Sequence, residues 1–373
     1  MTSSSSSREH TSKEPPVELW YSRCGAATAS AIAVRKRWLQ SEFSRGGSVL
    51  RSLRDSDDDA VLASHYHHGL SGLFREGGNI PPIWARSRGR DTVVLGITWL
   101  DEYQGILSRT DGPIRNVADL AGKRLALPLH GNLIDFQRGA AHHGFVTALR
   151  LAGLRPEQAT FVDVAAAPAS NGVTVDRANR PSVELSALLE GRVDAIFQRF
   201  ARGVRLARDP RLHQVVNLNE QADPLLRVNN GTPRPITVDR EFLGRHPDLV
   251  VRYLAVLIRT AVWADSHPSE VLSLLASEGS AQSIDEVLAS HGPNVHRAFH
   301  PGLSEGFVEA LEHQKNFLRD FGYLTSDFDV RSWISREPLN EARRLVEREP
   351  SLFELPGERE PTDRVISAAA SPA

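Results

Sequence analysis

Apolar positions along this chain follow two alternating rhythms. Short strand-like runs occupy Glu18 to Ser22, Ser48 to Leu53, Thr92 to Ile97, Gln104 to Ser108, Thr160 to Val164 and His213 to Asn217. Between and after them, apolar residues recur at helical spacing over Ala26 to Leu39, Phe136 to Ala152, Ser182 to Glu190, Val250 to Ser266 and Ser304 to Phe321. Asn116 to Pro128 reads as a short helix, a stop at Gly122 and a strand, and Gly191 to Phe197 as a turn and a strand. Asp327 to Leu339 is expected to dock as a small cap. Strands alternating with helices predict an α/β fold with largely parallel sheets. The chain has no internal repeat and no coiled-coil heptads.

Composition narrows the class. The 373 residues suit two lobes, with 40% hydrophobic and 24% charged residues, ordinary values for a globular chain. A net charge of −2 gives no electrostatic case for nucleic acid or an anionic membrane as partner. One cysteine excludes an internal disulfide framework and zinc sites built from several thiolates. Residues 1–16 are Ser-rich and charged without an apolar core, which predicts a disordered tail rather than a signal peptide and hence a cytoplasmic protein. No window is apolar enough to span a membrane. Residues 361–373 are expected to fray, and a monomer is the expected state.

The single cysteine, Cys24, falls where the first strand ends and an alanine-rich helix follows. Ligands of open α/β sheets gather at such ends, and a helix N-terminus favours a thiolate. A small buried hydrophobe is the alternative for a lone cysteine. His65, His67 and His68 crowd one segment, but their spacing is poor for one helix face and no carboxylate cluster lies near, so a metal site is not expected. On these residues alone His65 and His67 are equal candidates. Arg75 offers a planar fork for an anion, or is an ordinary surface cation. Gly77 and Gly78 bring backbone N–H groups close to a ligand, or form only a turn before Pro81 and Pro82. Asn132 and Arg138 follow the second-lobe strand at a probable helix start, the counterpart of the Cys24 position, and are further pocket candidates.

Two motifs carry a resemblance. Asp119-Leu120-Ala121-Gly122-Lys123-Arg124-Leu125-Ala126 and Gly191-Arg192-Val193-Asp194-Ala195 resemble segments of type II periplasmic-binding-type proteins. The resemblance implies a two-lobed α/β fold with a central cleft. Lobe one is expected at 17–119 plus 226–360, and lobe two at 120–225. Tyr21-Ser22-Arg23-Cys24 and Arg75-Glu76-Gly77-Gly78-Asn79-Ile80-Pro81-Pro82 resemble the 2'-hydroxybiphenyl-2-sulfinate desulfinase family, which carries these motifs in this order with a histidine ten residues before the arginine, here His65. The similarity is strongest from Trp20 to Leu127. It departs at Gly25, where the family has proline, and over Leu129 to His143. The resemblance implies a cofactor-free hydrolase that cleaves the C–S bond of an aryl sulfinate and releases sulfite. In it Cys24 is the catalytic thiol, His65 tunes or orients that thiol, and Arg75 holds the sulfinate oxygens. Ser22, as a hydrogen-bond partner of His65, joins Gly77, Gly78, Asn132 and Arg138 as expected substrate-binding residues. The alternative is a solute-binding protein that delivers sulfonate-, taurine- or nitrate-like anions to an ABC importer. The ligand in either case is a small anion, and the fold motifs suit both readings.

Overall fold

The computed structural model describes residues 16–23, 27–130, 134–165, 182–278 and 281–349. Cys24 and Asn132 lie outside the described residues, as do the expected N-terminal tail up to residue 15 and the expected frayed C-terminus.

Ten strands among the described residues sort into two five-stranded sheets. β1 (Glu18–Arg23), β2 (Val49–Ser52), β3 (Leu73–Glu76) and β4 (Thr92–Thr98) lie in the first. β5 (Gln104–Arg109), β6 (Arg124–Leu129), β7 (Thr160–Ala165), β8 (Ala195–Arg199) and β9 (Leu212–Asn217) make the second, in the order β7-β6-β8-β5-β9. β10 (Arg234–Asp239) returns to the first sheet, whose order is β2-β1-β3-β10-β4. β1 runs parallel to β2 and β3, and β10 runs antiparallel to β3 and β4.

Parallel neighbours need long crossovers, and helices supply them. In the first lobe these are α1 (Ala29–Arg35), α2 (Trp38–Arg45), α3 (Asp59–His67) and α4 (Ile80–Ser87). In the second they are α5 (Phe136–Leu151), α6 (Val183–Leu189) and α7 (Phe200–Ala207). After β10 the chain is helical: α8 (Arg240–Arg245), α9 (Pro247–Ser266), α10 (Pro268–Glu278), α11 (Ile284–His291), α12 (Glu305–Asp320), α13 (Val330–Trp333) and α14 (Glu337–Arg348). Buried α9 lays Tyr253 flat on Phe74 of β3, with ring centroids 3.9 Å apart. The C-terminal cap docks on β4: Trp333 is fully buried and donates its indole N–H to Thr92 Oγ1 at 3.1 Å.

The sequence reading needs correcting in several places: β3 was not expected, and the sheets, expected to be largely parallel, are mixed, with β5 and β10 antiparallel to their neighbours. The helix expected over Ala26 to Leu39 is two helices. Thr28 caps the first by accepting from the Ala31 N–H, and Arg37 breaks the run in the left-handed region at φ 61°. β10 was not expected, and prolines at 233 and 235 are unusual so close to and within a central strand. Pro235 nevertheless fits between β3 and β4, where the ladder shifts register between Ile236 and Thr237. The lobe boundary expected at 119/120 falls too late, since β5 pairs with β8 and β9. The chain therefore leaves the first sheet after Thr98 and enters the second at Gln104, then returns between Asn217 and Arg234.

A buried ion cluster sits where these crossings meet. Glu102 is completely buried on the outward crossing. It accepts from Arg199 Nε at 2.6 Å, at the end of β8, and from Arg234 Nη2 at 3.3 Å, at the start of β10. Gly231, on the return crossing, leaves room for the carboxylate, because a Cβ there would overlap the Glu102 oxygens. Gly231→Ala should therefore lower stability by about 1–3 kcal/mol in urea unfolding. An unchanged midpoint would show that the carboxylate has space to move aside.

Candidate functional site

The candidate site forms at the C-terminal ends of β1 and β3. The two strands are parallel neighbours, and Ser22 and Arg75 are register partners. Both are buried. α3 runs down onto this edge from an Asp58 cap and presents His65 in its last turn. Ser22 Oγ lies 2.5 Å from His65 Nδ1, with the proton on either atom according to the tautomer. Arg75 donates from Nε to the His65 carbonyl at 3.3 Å and from Nη1 to the Gly78 carbonyl at 2.7 Å. One guanidinium thus ties the end of α3 to the loop between β3 and α4. Part of the fork expected for an anion is committed to the backbone.

Gly78 has a steric role in this loop. A Cβ there would come within 2.7 Å of the Asn230 side chain, whose Oδ1 accepts from the Ile80 N–H at 3.0 Å. Asn79 donates to the carbonyls of Asn229 and Pro233 at 2.7 and 2.9 Å. These bonds fix the loop carrying Gly77 and Gly78, both buried, against the return crossing.

Successive strand residues point to opposite faces. Glu76 therefore leaves the site and faces α1, accepting from the N–H groups of Ala29 and Ser30 at 3.3 and 2.8 Å. Burial pushes its carboxyl above the usual range, against the opposing pull of those N–H groups and of Arg234. The chain around β1's exit is thus anchored at both ends, at Ser22 by His65 and at the start of α1 by Glu76. Cys24 follows Arg23, the last residue of β1, in the sequence.

Burial, and then the positive charges of Arg75 and Arg54, hold the His65 imidazole down at about 3. His65 is therefore neutral at ordinary pH. The other two histidines of the segment go elsewhere. His67 Nδ1 accepts from the Gly69 N–H at 3.0 Å, and buried His68 closes α3 at φ 54°. Tyr66 packs edge-on against His65 at 4.8 Å and stacks on Phe136 of the second lobe at 6.4 Å, so an aromatic pair spans the lobes beside the site. Arg138 stands with Asp163 of β7, 2.7 Å away, and with Tyr323. The structure thus brings Ser22, His65, Arg75 and Gly78 together. Sequence reasoning missed Glu76 and Arg234 as anchors; an acid inside the Arg75-to-Pro82 motif was the available signal for Glu76.

These two sheets, with their double crossing, define a periplasmic-binding-protein-like fold. Within that fold the chain is homologous to the 2'-hydroxybiphenyl-2-sulfinate desulfinase of Rhodococcus erythropolis: 27% identical over 309 residues, covering 74% of this chain and 82% of the relative. It is also 38% identical over 80 residues to a putative aliphatic sulfonates-binding protein of Escherichia coli (strain K12), covering 21% of this chain and 22% of that one. Among solved structures, a cysteine-to-serine variant of a desulfurization enzyme in complex with biphenyl-2-sulfinic acid matches with a TM-score of 0.68 at 24% identity, over 88% of this chain and 99% of that one. The periplasmic aliphatic sulphonate binding protein of Escherichia coli matches with a TM-score of 0.61 at 14% identity, over 87% and 93%. No protein-family model matches the chain.

The His65 environment fixes a sign. Unfolded, His65 takes up a proton near 6.5; folded, it does so only near 3. Between these values the unfolded state binds more protons, so stability falls as pH drops through that window. His142, His143 and His291 are held low in the same direction. Urea unfolding from pH 7 to pH 4 should show this loss. His65→Gln should flatten the slope by at most about 1.4 kcal/mol per pH unit. Equal slopes in the variant and the wild type would mean that folded His65 titrates normally.

Proposed function

We propose that this chain is a desulfinase that acts on the C–S bond of an aryl sulfinate, with Cys24 as the reacting thiol. The observation that carries the reading is the convergence of Ser22, His65 and Arg75 on adjacent strand ends, in a chain homologous to a sulfinate desulfinase. The net reaction is hydrolysis: an aryl sulfinate and water give the arene and bisulfite. In the proposed course the Cys24 thiol donates its proton to the ring carbon that bears sulfur. The C–S electron pair takes up that proton, and sulfur leaves as sulfur dioxide. Water adds to the sulfur dioxide, giving bisulfite and a proton that restores the thiol. Arg75 supplies the positive field that draws the sulfinate in. Its bonds to the His65 and Gly78 carbonyls hold the walls of the site while it does so.

The neutral state of His65 favours the proton-donor course. An imidazolium beside a cysteine stabilises a thiolate, and His65 does not provide one. Its role here is to orient the segment through Ser22. The competing function is a binding protein for sulfonate-like anions, which the likeness to the sulphonate binding protein favours.

Sulfite release from a panel of aryl sulfinates tests the choice. The wild type should release sulfite, and Cys24→Ser should lose at least about 10²-fold of the rate with its melting temperature unchanged. Binding of sulfinates or sulfonates without any release of sulfite would overturn the enzyme reading and leave the binding protein. With His65 neutral, kcat/KM should be level while the thiol is protonated and fall as it ionises, below the value of about 8.5 for an ordinary cysteine because Arg75 and the helix start favour the thiolate. A rate that rises through the thiol's ionisation would instead identify a thiolate nucleophile.

A further inference from the structure

Arg234 is a completely buried arginine far along the chain from the motifs of the site. Its three nitrogens point to three different pieces of backbone or side chain. Nε donates to the Gly231 carbonyl at 2.8 Å, and Nη2 donates to Glu102 Oε2 at 3.3 Å. Nη1 donates to the carbonyl of Ala27, the first described residue after Cys24, Gly25 and Ala26 in the sequence. The same Glu102 carboxylate is gripped through Oε1 by Arg199, at the last residue of β8 in the second lobe. A continuous chain of charge-assisted bonds therefore runs from the second lobe to the Ala27 carbonyl.

The second-lobe end of this chain is itself held under strain. Phe200, the residue after Arg199, sits in the left-handed region at φ 54°, which is unfavourable for a bulky side chain. Its N–H donates to the Tyr103 carbonyl at 3.1 Å, and the Arg199 guanidinium lies 4.6 Å over its ring. Arg205 of α7 and Arg208, which follows its last residue, pair with Glu286 and Asp285 of α11 at 2.6 and 2.8 Å. The β8–α7 junction is thus clamped to the crossing and to α11, and Arg199 reaches Glu102 from a defined position.

We infer that Arg234 is a positioning residue for the reaction at Cys24, and that Glu102 and Arg199 make its grip on Ala27 depend on the second lobe. The inference rests on Cys24 being the reacting group. Ser22 is held from one side by His65, and Ala27 from the other by Arg234. A lysine at position 234 keeps the charge beside Glu102 but cannot reach Gly231, Glu102 and Ala27 with one planar fork.

Arg234→Lys and Arg199→Lys test this through two readouts on the full chain. The first is the steady-state kinetics of sulfite release from biphenyl-2-sulfinate. The second is the alkylation rate of Cys24 by iodoacetamide, which needs no turnover and reports one site because the chain has one cysteine. Arg234→Lys should lower kcat by about 10- to 100-fold with KM within about twofold, because misplacement rather than lost binding is the defect; the carbonyl bonds it gives up lower the melting temperature as well, so both readouts are taken well below it. It should also change the alkylation rate severalfold. Arg199→Lys should move both readouts in the same direction by less, and the double variant should fall short of the product of the two single effects. Wild-type kcat and alkylation in folded Arg234→Lys would overturn the positioning role. If Arg234→Lys does not fold, Arg199→Lys decides: wild-type values there overturn the dependence on the second lobe, and a paired change in kcat and alkylation supports it. A wild type that releases no sulfite would refute the desulfinase reading and with it a role in that reaction, and the alkylation rates would then decide only whether Arg234 positions the Cys24 segment.

Discussion

The buried carboxylate of Glu102 is the constraint on which the two-lobed arrangement turns. An unpaired carboxylate carries a desolvation penalty of several kcal/mol in such a place. Here two arginines answer it, one from each lobe, and neither alone satisfies both oxygens. Removing the carboxylate would leave two largely buried guanidinium groups without that compensation, the costly half of the buried-salt-bridge balance. The backbone is fitted to this need. Glycine at position 231 makes room for the carboxylate, and the Thr232 hydroxyl donates to the Leu100 carbonyl to tie the return crossing to the outward one. The junction thus adds charge and close approach to the apolar core that runs through both lobes.

A second economy lies in the dipeptide Arg75-Glu76. Because side chains alternate along a strand, one residue faces α3 and the other faces α1. Arg75 fixes the end of α3 and the glycine loop through two carbonyls, while Glu76 fixes the start of α1 through two N–H groups. The two helices that border the exit of β1 are therefore set by adjacent residues of its neighbour β3. Their signs suit their targets: a cation meets the carbonyls at a helix C-terminus, and an anion meets the free N–H groups at a helix N-terminus.

Much of this was legible in the sequence wherever the signal was local. Strand β4 is an unbroken apolar run and is buried at every position, as such a run requires. Ser22, His65 and Arg75 were singled out, and they meet because β1 and β3 are parallel neighbours with Ser22 opposite Arg75. Long-range pairing was not legible. β10 was missed, and with it Arg234, which looks like any surface arginine until the antiparallel pairing buries it. β5 was read correctly as a strand yet placed in the wrong lobe, because a strand's own pattern does not say which sheet it joins. Glu102 carried no local mark, since its partners lie 97 and 132 residues away.

The same fold carries binding and desulfurizing relatives, so fold alone does not separate the two functions. What separates them is chemistry at the exit of β1. A binding site needs a cation and donors for an anion, and Arg75 with the glycine loop supplies that kind of surface in either case. A desulfinase also needs a proton that can be given to carbon and then recovered. His65, kept neutral first by burial and then by the charges of Arg75 and Arg54, withholds the imidazolium that would draw a thiol into its ionised form, while the charge of Arg75 itself pulls the other way. One buried guanidinium thus holds the walls of the site through the His65 and Gly78 carbonyls. For the proton to reach carbon, the backbone that carries the thiol must also be held on both sides. The bonds that do this come from opposite ends of the sequence, His65 to Ser22 and Arg234 to Ala27. In the proposed course, placement of the thiol draws on the long-range crossing as much as on the local motif.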